Sequence, residues 1–262
     1  MIDKYKMKYK DGIIELEIIR SKRKSISVEF HLTKGIMVRI PERLRDKDLV
    51  DFLVKKEGII KQKYEKVYGS KGRYQTEPIE KIYVNGSKLP FLSEEISLMI
   101  TDDIKMIPSK HRNDLTKSAY VNWYEDKVQQ TNTKTLLIVT MVTDIHFLRE
   151  CVVNRYKEQA KIILKKKTDQ YAKIMKVHYN GITIKEQKTR WGSCSSLGNL
   201  NYNWKLIMMP EEIVDYVVVH ELSHLIYMNH QKEFWLEVSK VLPDYNKSKD
   251  WLGENGILYQ KY

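Results

Sequence analysis

The stretch YVVVHELSHLIYMNH (216–230) holds three of the chain's seven histidines and decides how the C-terminal third folds. Apart from the histidines and Glu221, its residues are mostly apolar, so the pattern predicts a helix that is buried on nearly all sides. Pro210 suits the first position of such a helix, and the two glutamates after it favour the positive end of the helix dipole. The predicted helix covers 211–228.

Two of the histidines, His220 and His224, are four residues apart, so on a helix their side chains point the same way and can share one ion. Zinc binds neutral imidazole nitrogen, and unpaired histidines in an apolar helix would be costly to bury without such a partner. Glu221, one residue further round, is offset by about 100°. This offset places it outside the ligand set and beside a metal-bound water, as in the His-Glu-x-x-His motif.

A catalytic zinc site uses a third protein ligand and keeps a fourth position open. His230 is the best placed, because Asn229 tolerates a left-handed conformation that can reverse the chain and return His230 to the metal. Glu233 and Glu237 on the next helix are alternative third ligands. A structural site would more usually use cysteine and would not need Glu221. The residues therefore predict catalytic Zn²⁺, with Glu221 as the general base.

Weaker candidates lie upstream of the helix. Cys194 is a candidate ligand or redox inhibitor, although a small buried hydrophobic residue is the favoured interpretation. Arg190 could stabilise an oxyanion or contact the substrate, and a structural salt bridge is an equal alternative. Three tryptophans are interpreted as core residues rather than ligand-stacking platforms: Trp191, Trp204 and Trp235.

The composition is that of a globular protein of 262 residues with a net charge of +12. Its two cysteines, Cys151 and Cys194, give no disulfide framework, and the charged N-terminus has no apolar signal region. No apolar run is long enough to span a membrane, so we expect a cytoplasmic protein without membrane contact. The lysines are spread along the chain, which favours solvated faces over a dedicated nucleic-acid surface.

The N-terminal half is β-rich. Apolar residues at three- and four-residue steps predict one long helix over 46–68, with Asp46 as its N-cap. Asn85 and Gly86 predict a tight turn. Elsewhere apolar and polar residues alternate with period two, which predicts half-buried strands. The predicted strands are 13–19, 25–32, 35–41, 81–85, 88–92, 96–101 and 135–142.

We expect a boundary near residue 143. It would separate a β-rich N-terminal region (1–143), with an insertion at 102–135, from a catalytic domain (144–262), unless the two form one continuous domain. Helical spacing over 144–176 predicts one long helix or two successive ones. The remaining predicted elements are strands at 182–187, 190–195 and 199–210, with a turn at Gly198, and a helix at 231–241. Together they predict an α+β fold with helices packed on a small sheet.

These motifs resemble those of the YgjP-like metallopeptidase family, whose members look like bacterial relatives of the SprT-like and WLM zinc metalloproteases. The resemblance is carried by RWGSC (190–194), NLNYNW (199–204), YVVVHELSHL (216–225) and NHQKEFW (229–235). It implies a zincin-like metallopeptidase domain with HExxH on a buried helix. It also implies that His220, His224 and His230 bind the metal and that Glu221 is the base. Metzincins share the histidine spacing, but they need glycine where this chain has Tyr227.

The combined features predict a zinc-dependent metallopeptidase that hydrolyses a protein or peptide substrate, with metal-activated water and Glu221 as general base. One alternative is a nucleic-acid-associated SprT-like protease or a DNA-binding module, which the charge of +12 would suit. No DNA-binding motif is readable, so nucleic acid is only an alternative partner. The other alternative is a structural-zinc scaffold without turnover.

Overall fold

The structure of the chain, a computed structural model, describes residues 2–10, 12–31, 35–69, 82–114, 119–124, 134–187 and 190–262. It is an α+β fold, as the sequence predicts, and it separates into two compact units. The first unit comprises Met1–Thr76 and Glu254–Lys261, and the second comprises Glu77–Gly253 and Tyr262. The boundary predicted near residue 143 falls inside the second unit, and a division into 1–143 and 144–262 stays a prediction.

The first unit contains strands and one long helix. Its elements are β1 (Lys4–Tyr9), β2 (Gly12–Ser21), β3 (Ser27–His31), β4 (Gly35–Pro41) and α1 (Asp46–Tyr68). The sheet order is β1-β2-β4-β3, with β2 and β4 parallel and the other pairs antiparallel. Burial alternates along β2, so Ile14, Leu16 and Ile18 join one core with the buried face of α1. The three predicted strands and the helix are confirmed, whereas β1 was not predicted.

The start of α1 differs in detail from the prediction. Arg45 occupies the N-cap position, and Asp46, which was predicted as the cap, is the first helical residue. The Asp46 carboxylate accepts a hydrogen bond from Arg20 Nη2, while Arg20 Nη1 donates to the Leu44 carbonyl at 2.7 Å. Asp46 therefore ties the helix to β2 through Arg20, and its charge still lies at the positive end of the helix dipole.

A second sheet opens the second unit. Its strands are β5 (Lys88–Phe91), β6 (Glu94–Thr101), β7 (Ala119–Tyr124) and β8 (Thr135–Thr140), in the order β5-β6-β8-β7. The strand predicted at 81–85 is wrong: residues 82–87 contain a turn with Gly86 at φ 84°, and residue 81 lies outside the described residues. The segment 102–135, predicted as an insertion, contributes β7 to the sheet, and its residues 115–118 and 125–133 also lie outside the described part.

The C-terminal part of the second unit carries the site. Helix α2 (Ile145–Met175) is continuous over the range for which one or two helices were predicted. A small sheet follows, made of β9 (Gly181–Lys185), β10 (Gly192–Cys194) and β11 (Asn199–Asn203). Its strand order is β10-β11-β9, with a hairpin turn at Gly198 between β10 and β11. The α-helices that follow are α3 (Glu211–Ser223), α4 (Lys232–Val241) and α5 (Tyr245–Asn255).

Two predicted boundaries around α3 are wrong. The strand predicted over 199–210 ends at Asn203, because the Asn203 side chain accepts a hydrogen bond from Lys205 N at 3.1 Å and starts a 3₁₀ turn. The helix predicted over 211–228 ends at Ser223, and Pro210 is its N-cap rather than its first residue. The helix is therefore shorter than its apolar pattern suggests.

Helix α3 is held against α2 by ion pairs, and the 3₁₀ turn before it (Trp204–Met208) is held against α2 by an aromatic contact. Lys167 Nζ of α2 lies 2.7 Å from Glu211 Oε1 and 2.6 Å from Asp215 Oδ1. Tyr156 of α2 packs edge-on against the fully buried Trp204, with ring centroids 6.0 Å apart. These contacts fix the N-terminal half of α3 against α2. The histidines lie at the other, C-terminal end of the helix. None of the described helices combines the length and apolar composition that crossing a membrane requires.

Candidate active site

Helix α3 presents the first two histidines on one face. His220 lies in its last turn, and His224 is its C-cap residue. Because His224 keeps right-handed helical angles (φ −67°, ψ −17°), the four-residue spacing still aligns the two side chains although the helix ends at Ser223. Their ring centroids are 5.0 Å apart. The two side chains are therefore aligned as predicted, although the helix ends earlier than predicted.

The chain then reverses and brings back the third histidine. Asn229 does not adopt the predicted left-handed conformation. Its side-chain oxygen instead accepts a hydrogen bond from Gln231 N at 3.3 Å, which is a local alternative means of turning the chain. His230 Nε2 consequently lies 3.0 Å from His220 Nε2. We call His220, His224 and His230 the three-histidine cluster.

The three-histidine cluster has the form of a metal site. Each of its members offers one ring nitrogen, and these atoms lie within 4.8 Å of one another. In the described part of the chain, no other three His, Cys, Asp or Glu side chains meet in this way. Glu233 and Glu237, the alternative ligands, are outside the cluster, and Glu237 pairs with Lys240 at 2.6 Å. The half-buried Cys194 donates from Sγ to the Ser195 carbonyl at 3.4 Å and is also outside it.

The protonation states of the three histidines favour the binding of a cation. Burial, together with the charges of the neighbouring histidines and of Lys249, lowers the pKa of His220 to about 3. Burial also lowers the pKa of His224 and of His230. In the neutral form His224 can donate from Nδ1 to the Tyr227 carbonyl at 3.1 Å, which leaves Nε2 as a free lone pair. Neutral imidazoles with converging nitrogens are the form that binds zinc, so the residues present fit the ion.

Phe234 closes one side of the cluster. It is fully buried, and its ring centroid lies 4.9, 4.6 and 4.8 Å from those of His220, His224 and His230. It is the third residue of α4, which begins directly after the chain reversal. An apolar wall of this kind excludes water from one side of the ligands and lowers the local dielectric, which strengthens electrostatic interactions inside the site.

The Glu221 side chain packs against β10 at Gly192. It is only 5% exposed. A Cβ atom placed on Gly192 would lie 2.6 Å from Glu221 Oε1 and 2.7 Å from its Cγ, distances at which real Cβ atoms are essentially never found. Only glycine leaves room for this side chain. This role of Gly192 was not predicted from the sequence. A glycine inside a strand, which often marks a close approach by another group, was the available signal.

The environment of Glu221 makes it a weak acid. Burial raises the pKa of its carboxyl group to about 8, and the positive charge of Arg190 partly opposes this rise. Glu221 Oε2 is buried and has no hydrogen-bond partner among the described residues. A carboxyl group whose pKa lies close to neutral pH can both accept and return a proton, which is the property of a general acid–base catalyst.

An α+β fold in which one buried helix presents paired histidines beside a buried carboxyl group defines a metallopeptidase class of site. The chain belongs to the YgjP-like family: the family's metallopeptidase domain matches residues 24–255. This assignment confirms the resemblance inferred from the sequence.

Two solved structures of metallopeptidase zymogens are similar to a third of the chain. Abylysin from Pyrococcus abyssi is 23% identical over 34% of this chain and 90% of its own, with a TM-score of 0.32. Jannalysin from Methanocaldococcus jannaschii is 21% identical over 34% of this chain and 92% of its own, with a TM-score of 0.31. No curated protein matches the chain.

Proposed function

We propose that the chain is a zinc-dependent metallopeptidase in which the three-histidine cluster holds Zn²⁺ and Glu221 is the general base. The observation that carries the proposal is the convergence of three ring nitrogens within 4.8 Å, beside a carboxyl group that is 5% exposed. Membership of the YgjP-like metallopeptidase family supports peptide-bond hydrolysis as the reaction. Three neutral nitrogen ligands support zinc as the ion, because catalytic zinc sites commonly use three protein ligands.

When bound, Zn²⁺ would polarise the scissile carbonyl and lower the pKa of a water molecule towards about 7. The side chain of Glu221 would take a proton from the attacking water at its carboxylate and return it to the leaving amine. Its confinement against Gly192 supports this role, because a general base works only when it is held within hydrogen-bond reach of the proton that it transfers.

The edge of the small sheet supports an extended peptide as the substrate. Among the described strands, β10 pairs only with β11, so its other edge is not paired with a strand. This strand runs past Glu221 through Gly192. An extended peptide that added to β10 would therefore bring a backbone carbonyl close to Glu221. Arg190 is exposed and lies two residues before Gly192, which supports a contact with that peptide or its oxyanion.

The test compares zinc content and peptide hydrolysis in the wild type and Glu221→Gln. The variant keeps the size of the side chain and all three histidines, so it should retain zinc and lose about 10²–10⁴-fold in kcat. Glu233→Gln is a matched control, because Glu233 is exposed, acidic and outside the cluster. His230→Ala should lose zinc affinity.

Two results would overturn the proposal. A wild-type chain that binds no zinc would remove the metal site, and Glu221→Gln with full turnover would remove the general base. A wild type that binds zinc but cleaves no peptide, with no exchangeable water on the metal, would instead favour a structural-zinc scaffold.

A further inference from the structure

We propose that Trp235 positions His230 for metal binding and that Tyr245 and Lys249 of α5 hold Trp235 in place. This inference rests on the proposed zinc site, because it concerns how the third ligand is held. It goes beyond the ligand set, since none of these three residues touches the metal position.

His230 is the ligand that needs an external support. His220 is held by the hydrogen bonds of α3, and the ring of His224 is fixed by its contact with the Tyr227 carbonyl at 3.1 Å. His230 belongs to no helix or strand and is exposed. It follows a turn in which two residues are bends. A ligand on such a segment keeps its position only if its backbone is anchored by a neighbouring element.

Trp235 supplies that anchor. Its indole Nε1 donates a hydrogen bond to the His230 carbonyl at 3.2 Å. Its ring also lies 5.7 Å from the His230 ring, with the two planes inclined by 31°. Indole nitrogen is a donor only, so this bond has a single possible direction. Trp235 therefore touches His230 at both the backbone and the side chain.

Helix α5 fixes the orientation of the Trp235 ring. The Tyr245 ring stacks on it at 5.2 Å, with the planes inclined by only 11°. Lys249 Nζ lies 4.1 Å from the centroid of the Trp235 ring. Tyr245 and Lys249 are four residues apart on α5 and therefore lie on the same side of that helix. Stacking and a cation–π contact from one helix leave the indole little freedom to rotate.

The experiment measures zinc affinity by chelator competition in the full-length chain. Trp235→Phe keeps an aromatic ring and removes the donor, so the dissociation constant for zinc should rise about tenfold, the lower range for partners of metal ligands. The same substitution in a His230→Ala background should change the weaker remaining affinity by less than about twofold, because the ligand on which Trp235 acts is absent. Tyr245→Ala should weaken zinc binding in the same direction, whereas Tyr245→Phe keeps the stack and should not.

A second pair of measurements distinguishes a loss of His230 positioning from a general destabilisation of the fold. The unfolding temperature of each variant is recorded without metal, and the absorption spectrum of the cobalt-substituted protein reports the geometry of the ligands. Under the proposal, the cobalt spectrum of Trp235→Phe changes, and its metal-free unfolding temperature falls equally in both backgrounds. If Trp235→Phe does not fold, the Tyr245→Ala and Tyr245→Phe pair decides the question.

The inference is overturned if Trp235→Phe binds zinc like the wild type, or if it weakens zinc binding equally in the His230→Ala background. It is also overturned if Tyr245→Ala leaves the affinity unchanged. These outcomes leave the proposed peptidase intact. A wild-type chain without zinc affinity would overturn both proposals together.

Discussion

Replacing Gly192 with alanine should displace Glu221 and reduce turnover while leaving the three histidines in place. The new Cβ would lie 2.6 Å from Glu221 Oε1, 2.7 Å from Cγ and 2.8 Å from Cδ. Carbon atoms in contact are normally about 3.5–4.0 Å apart. Because Cγ is among the clashing atoms, rotation of the terminal carboxyl group cannot relieve the overlap. The whole Glu221 side chain must move.

The size of the effect follows from this overlap. Adding a methyl group to a closely packed position costs about 1–3 kcal/mol in the free energy of unfolding. Gly192 does not have a positive φ, so alanine adds no backbone strain and the penalty is steric. A catalytic group misplaced by about 1 Å can lose about 100-fold in rate. We therefore expect a fall of about 100-fold in kcat, with zinc content unchanged.

The assay is a double-mutant cycle with Glu221→Ala, read by urea unfolding. Glu221→Ala removes the three atoms that lie nearest to the new Cβ, so Gly192→Ala should then cost about 0 kcal/mol and could stabilise slightly. Gly58→Ala is a matched control, because nothing lies within 4 Å of its added Cβ and it is on α1. Equal destabilisation by Gly192→Ala in both backgrounds, or wild-type kcat in the single variant, would refute the reasoning.

Three further predictions concern metal, an ion pair and pH. Adding zinc to metal-free protein at about 100 times its dissociation constant should raise the free energy of unfolding by about 2.7 kcal/mol. In thermal unfolding, the same zinc concentration should stabilise His230→Ala by less. Burial already raises the pKa of Asp215, and Lys167→Met would leave this carboxylate without its cation. Urea unfolding should therefore show a loss of about 1–3 kcal/mol in the free energy of unfolding. Adding Asp215→Asn should recover part of that loss. Burial alone would raise the pKa of Glu29, but hydrogen bonds from Arg39 and Ser27 hold it below 4.5. The folded chain therefore loses stability as pH falls through about 4.5 and below, and Glu29→Gln should lose less between pH 6 and 3.5.

Elements with a clear apolar period were predictable from sequence. Helix α1 has bounds of Asp46–Tyr68, which match the prediction, because its apolar residues recur at helical spacing. Helix α5 was missed because it has no fully buried residue and therefore no apolar stripe to detect. Strand β7 was missed because it is short, lies within a polar segment, and its sequence AYVNWY does not alternate between apolar and polar residues.

The same physical reason decides which features of the site could be predicted from the sequence. Residues His220, Glu221 and His224 could be placed by helical geometry, since their spacing within one element fixes their relative directions. Contacts between different structural elements could not be read in this way. The approach of Gly192 to Glu221 and the hydrogen bond from Trp235 to His230 depend on a strand and a helix meeting α3 and the turn after it. Neither contact leaves a periodic trace in the sequence.

Phe234 should slow the exchange of metal at the three-histidine cluster. Because Phe234 fills one side of the three-histidine cluster, an incoming chelator can approach only from the opposite side. It must remove histidines one at a time while the remaining rings stay packed on the buried phenyl group. Release of the ion should therefore be slow compared with its equilibrium affinity. Phe234→Ala would open a second route and shorten the residence time of the ion on the protein.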